Sequence, residues 1–189
     1  VTIDNSTIAG NASYQYNLDP DTGEKSGLGG GGIVVYDPIG DVEATFRLRN
    51  SIVAGNDNSE CYTRNGVDTG GSEGNLILDS TVNTNGDLPC PGVASSDDPL
   101  LGSLALNGPG RTPTMKLGAG SPAIDAAVGN YTADDQRGIL RPQGGNGDIG
   151  AYEASGLPPT TTITLNPAFP NGANSWYVST VGVTVSATD

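Results

Sequence analysis

The chain has 189 residues, enough for one packed core with or without an appendage. It carries 29 glycines and 13 prolines against eight lysines and arginines, and its formal net charge is −13. That charge repels nucleic acid, anionic polysaccharide and lipid headgroups, and no run of about 18 apolar residues is present to form a transmembrane helix. Valine, isoleucine, threonine and tyrosine are frequent, and glycine, asparagine and aspartate break them into short runs. This pattern predicts short strands and an all-β fold. The first residue is Val1, directly in strand-like sequence, which reads as upstream processing or as a fragment of a longer protein.

Residues 1–11 return as residues 46–56. Asn5-Ser6 and Ala9-Gly10-Asn11 recur as Asn50-Ser51 and Ala54-Gly55-Asn56, and Val1/Phe46 and Ile3/Leu48 are apolar at both places. A spacing of 45 residues fits two coils of a solenoid, each of about 22 residues. Alternation in Val1-Thr2-Ile3 and Phe46-Arg47-Leu48 places one face inward. An asparagine ending each short strand suits a corner of left-handed backbone. Asn5 and Asn50 share one repeat position, so an amide ladder between coils is expected there. Gly29 to Tyr36 is read as the intervening coil, and Asn75-Leu76-Ile77-Leu78 as the next one.

Residues 13–28 are too polar for a core strand and read as a loop inserted into one coil. Asp19, Asp21 and Glu24 in that loop are the candidate calcium ligands, and calcium is the one cofactor the sequence leaves open. The trio lacks the full spacing of a calcium loop and reads first as a solvated turn. Cys61 and Cys90 flank a Gly- and Asn-rich stretch. A disulfide is the favoured reading; two separate buried thiols are the alternative. With two cysteines and no histidine, a zinc site is not expected.

Residues 97–153 change character. Asp98-Pro99-Leu100-Leu101-Gly102 is followed by Pro113-Thr114, Gly120 to Ala126, Asp135-Gln136-Arg137-Gly138, Arg141-Pro142 and Asp148 to Glu153. This order closely resembles the C-terminal segment of bacterial parallel β-helix repeat proteins of the choice-of-anchor Q type. The Asn-Ser-Thr-Ile-Ala-Gly-Asn coils and the Gly-Gly-Gly-Ile element are also similar to that family and to polymorphic outer-membrane proteins. The resemblance covers residues 1–153. It implies a right-handed parallel β-helix exported to the cell surface or beyond, with no shared catalytic constellation to carry over. The 97–153 pieces are then expected to close the open end of the stack. Arg137 and Arg141 are expected to pair with acids such as Asp125, Asp134, Asp135 or Asp148.

Residues 154–159 form a linker by composition. Beyond it, Thr160 to Leu165 and Val178 to Ala187 read as two strands around Asn171 to Tyr177. Residues 160–189 resemble the start of a bacterial immunoglobulin-like domain, which in full needs about seven strands. Two isolated strands do not make a stable core. Either this is a fragment cut from a longer surface protein, or the tail finds its partner in another copy by strand addition, a head-to-tail contact that builds a fibre when repeated. The residues assigned to that interface are Ile163, Leu165, Trp176, Tyr177, Val181, Val183 and Val185.

Parallel β-helices also host polysaccharide lyases and hydrolases, but fold does not carry function. There is no histidine, Lys25 and Lys116 are the only lysines, and Asp97/Asp98 and Asp134/Asp135 are adjacent pairs suited to turns. Tyr14, Tyr16, Tyr36 and Tyr62 are candidates for a sugar-binding or subunit-contact surface. The sequence reading is therefore a secreted or surface-displayed bacterial structural protein, a stalk or fibre subunit forming a homopolymer. The alternative is an adhesin that binds carbohydrate or another cell-surface ligand. Catalysis ranks last.

Overall fold

The computed structural model describes residues 1–12, 31–35, 44–57, 59–64, 66–81, 87–156 and 160–188. The chain forms two compact units, Val1–Ala154 and Ser155–Asp189. Among the described residues, the regular structure is β apart from one 3-10 turn at Ala173–Ser175. The first unit contains β1 (Thr2–Asp4), β2 (Thr7–Ala9), β3 (Ile33–Val35), β4 (Arg47–Arg49), β5 (Ile52–Ala54) and β6 (Cys61–Arg64). It continues with β7 (Asn75–Ile77), β8 (Asp87–Pro89), β9 (Val93–Ser95), β10 (Leu101–Ala105) and β11 (Thr114–Leu117).

The internal repeat is the strand register itself. β1 pairs in parallel with β4, Thr2 opposite Arg47, and β2 pairs in parallel with β5, Thr7 opposite Ile52. The expected pair of 22-residue coils is therefore corrected: strands 45 residues apart are direct neighbours. β3 is not an intervening rung between them, because it sits in another sheet against β6. The next step is shorter, with Ile52 opposite Leu76 in parallel β5–β7, and β9 follows β7. The sheets are small and mixed in direction. β8 runs antiparallel to β6, and β10 and β11 form an antiparallel pair.

Asn5 and Asn50 both take left-handed backbone, with φ of 42° and 45°. Asparagine tolerates this geometry better than other residues with a Cβ, so the chain turns a corner at the same repeat position twice. The strands around each corner supply the core. β5 is buried at all three residues. Its alternation sends Val53 into a cluster with Phe46, Leu48, Ile77, Cys61 and Cys90. Ile52 and Leu76 point the other way, into a cluster with Leu117, Ala123, Ile149 and Tyr152. A sheet buried on both faces reads as a continuous apolar run, as Ile52-Val53-Ala54 does. Cys61 and Cys90 form a disulfide with Cα atoms 5.2 Å apart, joining β6 to the end of β8 inside the first cluster.

Residues 117–152 lie along the outer face of the β2–β5–β7–β9 sheet, where Ile52 and Leu76 demand cover. The expected end plug is thus a side strap: it contacts Asn5, Asn50 and Leu76 in three successive strand layers. The reason is apolar burial. A plug would shield strand edges, whereas this segment covers side chains that point out of the sheet.

The second unit contains β12 (Thr160–Asn166) and β13 (Gly182–Thr188), paired antiparallel with Ile163 opposite Val185 and Leu165 opposite Val183. The connection is tied by Asn171, whose Oδ1 accepts from Val178 N at 3.0 Å and whose Nδ2 donates to Ser179 Oγ at 2.8 Å.

Candidate functional site

The strap is held by a buried network of charges. Arg141 Nη1 donates to Glu153 Oε2 at 2.7 Å, and both side chains are fully buried. The same guanidinium donates to the carbonyls of Asp148 at 2.8 Å and Gly150 at 2.7 Å. Glu153 also accepts from the backbone N–H of Gln143 at 2.8 Å and of Asp148 at 2.9 Å. A buried ion pair needs its remaining donors and acceptors matched in this way, and here all but Arg141 Nε, which has no hydrogen-bond partner among the described residues, are met. Arg137 donates to Asp135 Oδ2 from Nε at 2.8 Å and Nη2 at 2.6 Å. It also donates to the carbonyl of Glu153 and lies 3.5 Å from the centre of the Tyr152 ring.

Asp135 shapes its own turn. Its Oδ1 accepts from the backbone N–H of Arg137 at 2.7 Å and Ile139 at 3.0 Å, and its Oδ2 accepts from Glu153 N at 2.9 Å. Burial raises its pKa, but these N–H groups and the Arg137 guanidinium together hold the carboxyl below its ordinary value. Asp148 goes the other way. Burial pushes it up to about 6, past the lowering effect of N–H bonds from Ala154 and Asp125, and the charges of Glu153 and Asp125 add to the rise.

The strap then grips the repeat corners. Asn50 Oδ1 accepts from Val128 N at 2.8 Å and its Nδ2 donates to Val128 O at 2.9 Å. Asn5 Oδ1 accepts from Thr132 N at 3.1 Å, and its Nδ2 donates to Asp148 O at 3.4 Å. The expected amide ladder at Asn5 and Asn50 is therefore corrected, because both side chains are committed to the strap. The ladder lies one turn later: Asn11 Nδ2 donates to Asn56 Oδ1 at 2.8 Å. Gly150, at φ +98°, passes so close to the sheet that a Cβ would lie 2.8 Å from both Ile52 Cδ1 and Thr7 Oγ1.

The acids named from sequence divide by role. Arg137 takes Asp135, but Arg141 takes Glu153, which lies outside the expected set. Asp125 accepts from Asn146 N at 3.0 Å, and Asp98 accepts from Leu100 N at 2.8 Å. These carboxylates cap turns. A cleft of about 380 Å³ opens beside the strap, lined by Asn5, Ser6, Thr7, Thr132, Asp134 and Gln136, with Asp135 and Ala151. Its lining is part polar and part apolar, and Asn5, Thr7, Asp135 and Gln136 are already bonded to protein partners.

Among the described residues, no group of three metal-ligating side chains comes together. The calcium candidates Asp19, Asp21 and Glu24 lie outside the described residues, as do Tyr14, Tyr16 and Tyr36. Tyr62 is buried at 5 % exposure. No helix among the described residues is long and apolar enough to cross a membrane.

The second unit has the opposite character. Period-two alternation puts Ile163, Leu165, Val183 and Val185 on one face of the β12–β13 ribbon, with Thr162, Thr164, Thr184 and Ser186 on the other. Ile163 is 66 % exposed, and Val183 and Val185 are each 61 % exposed. Leu165, Tyr177 and Val181 are half-buried, Val181 just ahead of β13. Phe169 and Trp176 are exposed in the connection. What this ribbon offers is an apolar surface and two strand edges. No protein-family model, curated protein or solved structure matches the chain.

Proposed function

We propose that this chain is a non-catalytic structural element of a secreted or surface-displayed bacterial protein, a stalk or fibre subunit of the right-handed parallel β-helix type. Its copies join through the β12–β13 ribbon to make a homopolymer. The observation that carries this reading is the apolar face of a two-stranded ribbon, on which Ile163, Val183 and Val185 are exposed beside the half-buried Leu165. A ribbon of this size is marginal alone and gains stability when a third strand or a facing sheet covers it. Parallel pairing of β1–β4, β2–β5, β5–β7 and β7–β9 supports the helical stack. The Cys61–Cys90 disulfide supports an oxidising compartment. The well-bonded state of the buried carboxylates supports a scaffold role for them.

Sedimentation velocity over a range of concentrations tests the contact. The unmodified chain is expected to form larger species as concentration rises, and Ile163→Thr/Val183→Thr/Val185→Thr to stay monomeric. Equal behaviour of the two would remove the ribbon as the interface.

One observation favours a second reading. Phe169 and Trp176 are 80 % and 72 % exposed in the same connection, as a sugar-stacking surface requires. An adhesin would show quenching of Trp176 fluorescence by neutral oligosaccharides, abolished by Phe169→Ala.

A further inference from the structure

The buried charges of the strap do not balance. Asp135, Asp148 and Glu153 are buried against the two guanidinium groups of Arg137 and Arg141. Arg137 takes Asp135 and Arg141 takes Glu153, so Asp148 is the acid left without a cation among the described residues. Two backbone donors hold its carboxylate instead. Oδ1 accepts from Asp125 N at 2.8 Å, and Oδ2 accepts from Ala154 N at 2.5 Å. Arg141 bonds the backbone carbonyl of Asp148 and not its carboxylate.

The surroundings of this carboxylate favour a proton. From the 121–127 turn the facing charge is Asp125, and from the 150–154 segment it is Glu153, both acids. The 135–141 turn brings Arg141, already committed to Glu153, and Arg137, already closed on Asp135. The first strand layer contributes the neutral amide of Asn5, and the neighbouring Asp4 is paired with Arg49. Tyr131 packs on Gly147, one residue before. Burial and the two acids outweigh the two N–H bonds and push Asp148 up to about 6.

A carboxylate accepts strongly at both oxygens. A carboxylic acid keeps one strong acceptor, its carbonyl oxygen, while the other oxygen turns donor and accepts poorly. Protonation therefore weakens one of the two N–H bonds, and the two are not equal. Asp125 sits in a turn fixed on both sides. Ile124 N donates to Ser121 O at 3.1 Å, Ala127 N to Gly147 O at 2.9 Å, and Asn146 N to the Asp125 carboxylate at 3.0 Å. Ala154 is the last residue of the first unit, and among the described residues it makes no other hydrogen bond. It packs, half-buried, against the cluster around Ile52 and Leu76. We infer that Asp148 is a proton-operated latch on the end of the strap. Ionised, it holds both Asp125 N and Ala154 N; on taking up a proton it keeps the first and releases the second, which frees Ala154 from the core. The latch lies within the first unit and does not depend on the ribbon.

The test is amide NMR and hydrogen exchange on the full chain from pH about 4.5 to about 8. The Ala154 amide is expected to titrate together with the Asp148 carboxyl carbon, at about 6, while the Asp125 amide moves less. After correction for the intrinsic exchange rate, protection of Ala154 is expected to be about tenfold lower at the acid end, the size of one lost hydrogen bond. The first unit as a whole gains stability at that end, because the folded carboxyl takes up a proton more readily than the unfolded one. A local opening that accompanies a global gain is the signature of the latch. Asp148→Asn offers one acceptor oxygen and one donor, as the protonated acid does, and is expected to hold the Ala154 amide at its acid position at every pH. A carboxyl carbon that titrates only below pH about 4.5 would overturn the inference. So would an Ala154 amide that stays flat while the carboxyl titrates, or loss of protection at Asp125 in place of Ala154.

Discussion

The strap and the ribbon solve opposite problems. In the strap, charged and amide groups are buried, and nearly every one has found a partner within the same unit. In the ribbon, the backbone ladder is complete over seven residue pairs while apolar side chains stand in solvent. Buried polar groups are costly unless matched, so the strap is specific and brittle. Exposed apolar groups cost little locally, so the ribbon is tolerant within the chain, and on the proposed reading its consequence lies between chains.

This contrast breaks most sharply at Arg141. Arg141→Met leaves Glu153 buried without its counter-ion and frees the carbonyls of Asp148 and Gly150. A loss of about 3–5 kcal/mol in the first unit is expected. Denaturant unfolding measures it, and Arg141→Met/Glu153→Gln is expected to recover part of the loss. Next comes the disulfide. Cys61→Ala/Cys90→Ala releases a loop with a sequence separation of 29, and a loss of about 3–4 kcal/mol is expected from chain entropy.

The pH dependence sharpens the strap side. The folded Asp148 pKa, about 6, lies above its unfolded value, so its contribution is full below pH about 4 and is lost as pH rises through 6. Asp135 is depressed, so its contribution is present above pH about 4 and is lost as pH falls through its folded value. Asp148→Asn is therefore expected to flatten the decline between pH 4 and 6.5 and to leave the acid limb intact. Melting curves across that range check it. The smallest effect belongs to the ribbon. Ile163→Thr/Val183→Thr/Val185→Thr is expected to leave the unfolding of the first unit within about 0.5 kcal/mol, as exposed substitutions do.

Local signals were legible in the sequence, and distant partners were not. The 45-residue repeat is the β1–β4 and β2–β5 register, residue for residue. The left-handed corners at Asn5 and Asn50 follow from residue type and repeat position, and the Cys61–Cys90 bridge is the favoured of the two readings of the cysteines. The coil length was misread because a repeat gives a period and not the number of turns within it. The use of Asn5 and Asn50 was hidden because their partners lie up to 143 residues away, in strap backbone that carries no sequence mark. Glu153 escaped for a similar reason: nothing in Ala151-Tyr152-Glu153 says that the carboxylate turns inward to Arg141. Alternation at Val181, Val183 and Val185 made the ribbon readable, since period two is the strand's own signature.

The central claim is tested most directly by negative-stain electron microscopy of the full chain beside a chain ending at Ser155. The account predicts fibres from the first and single particles from the second. Single particles from both at high concentration, or fibres from both, would contradict assembly through the ribbon.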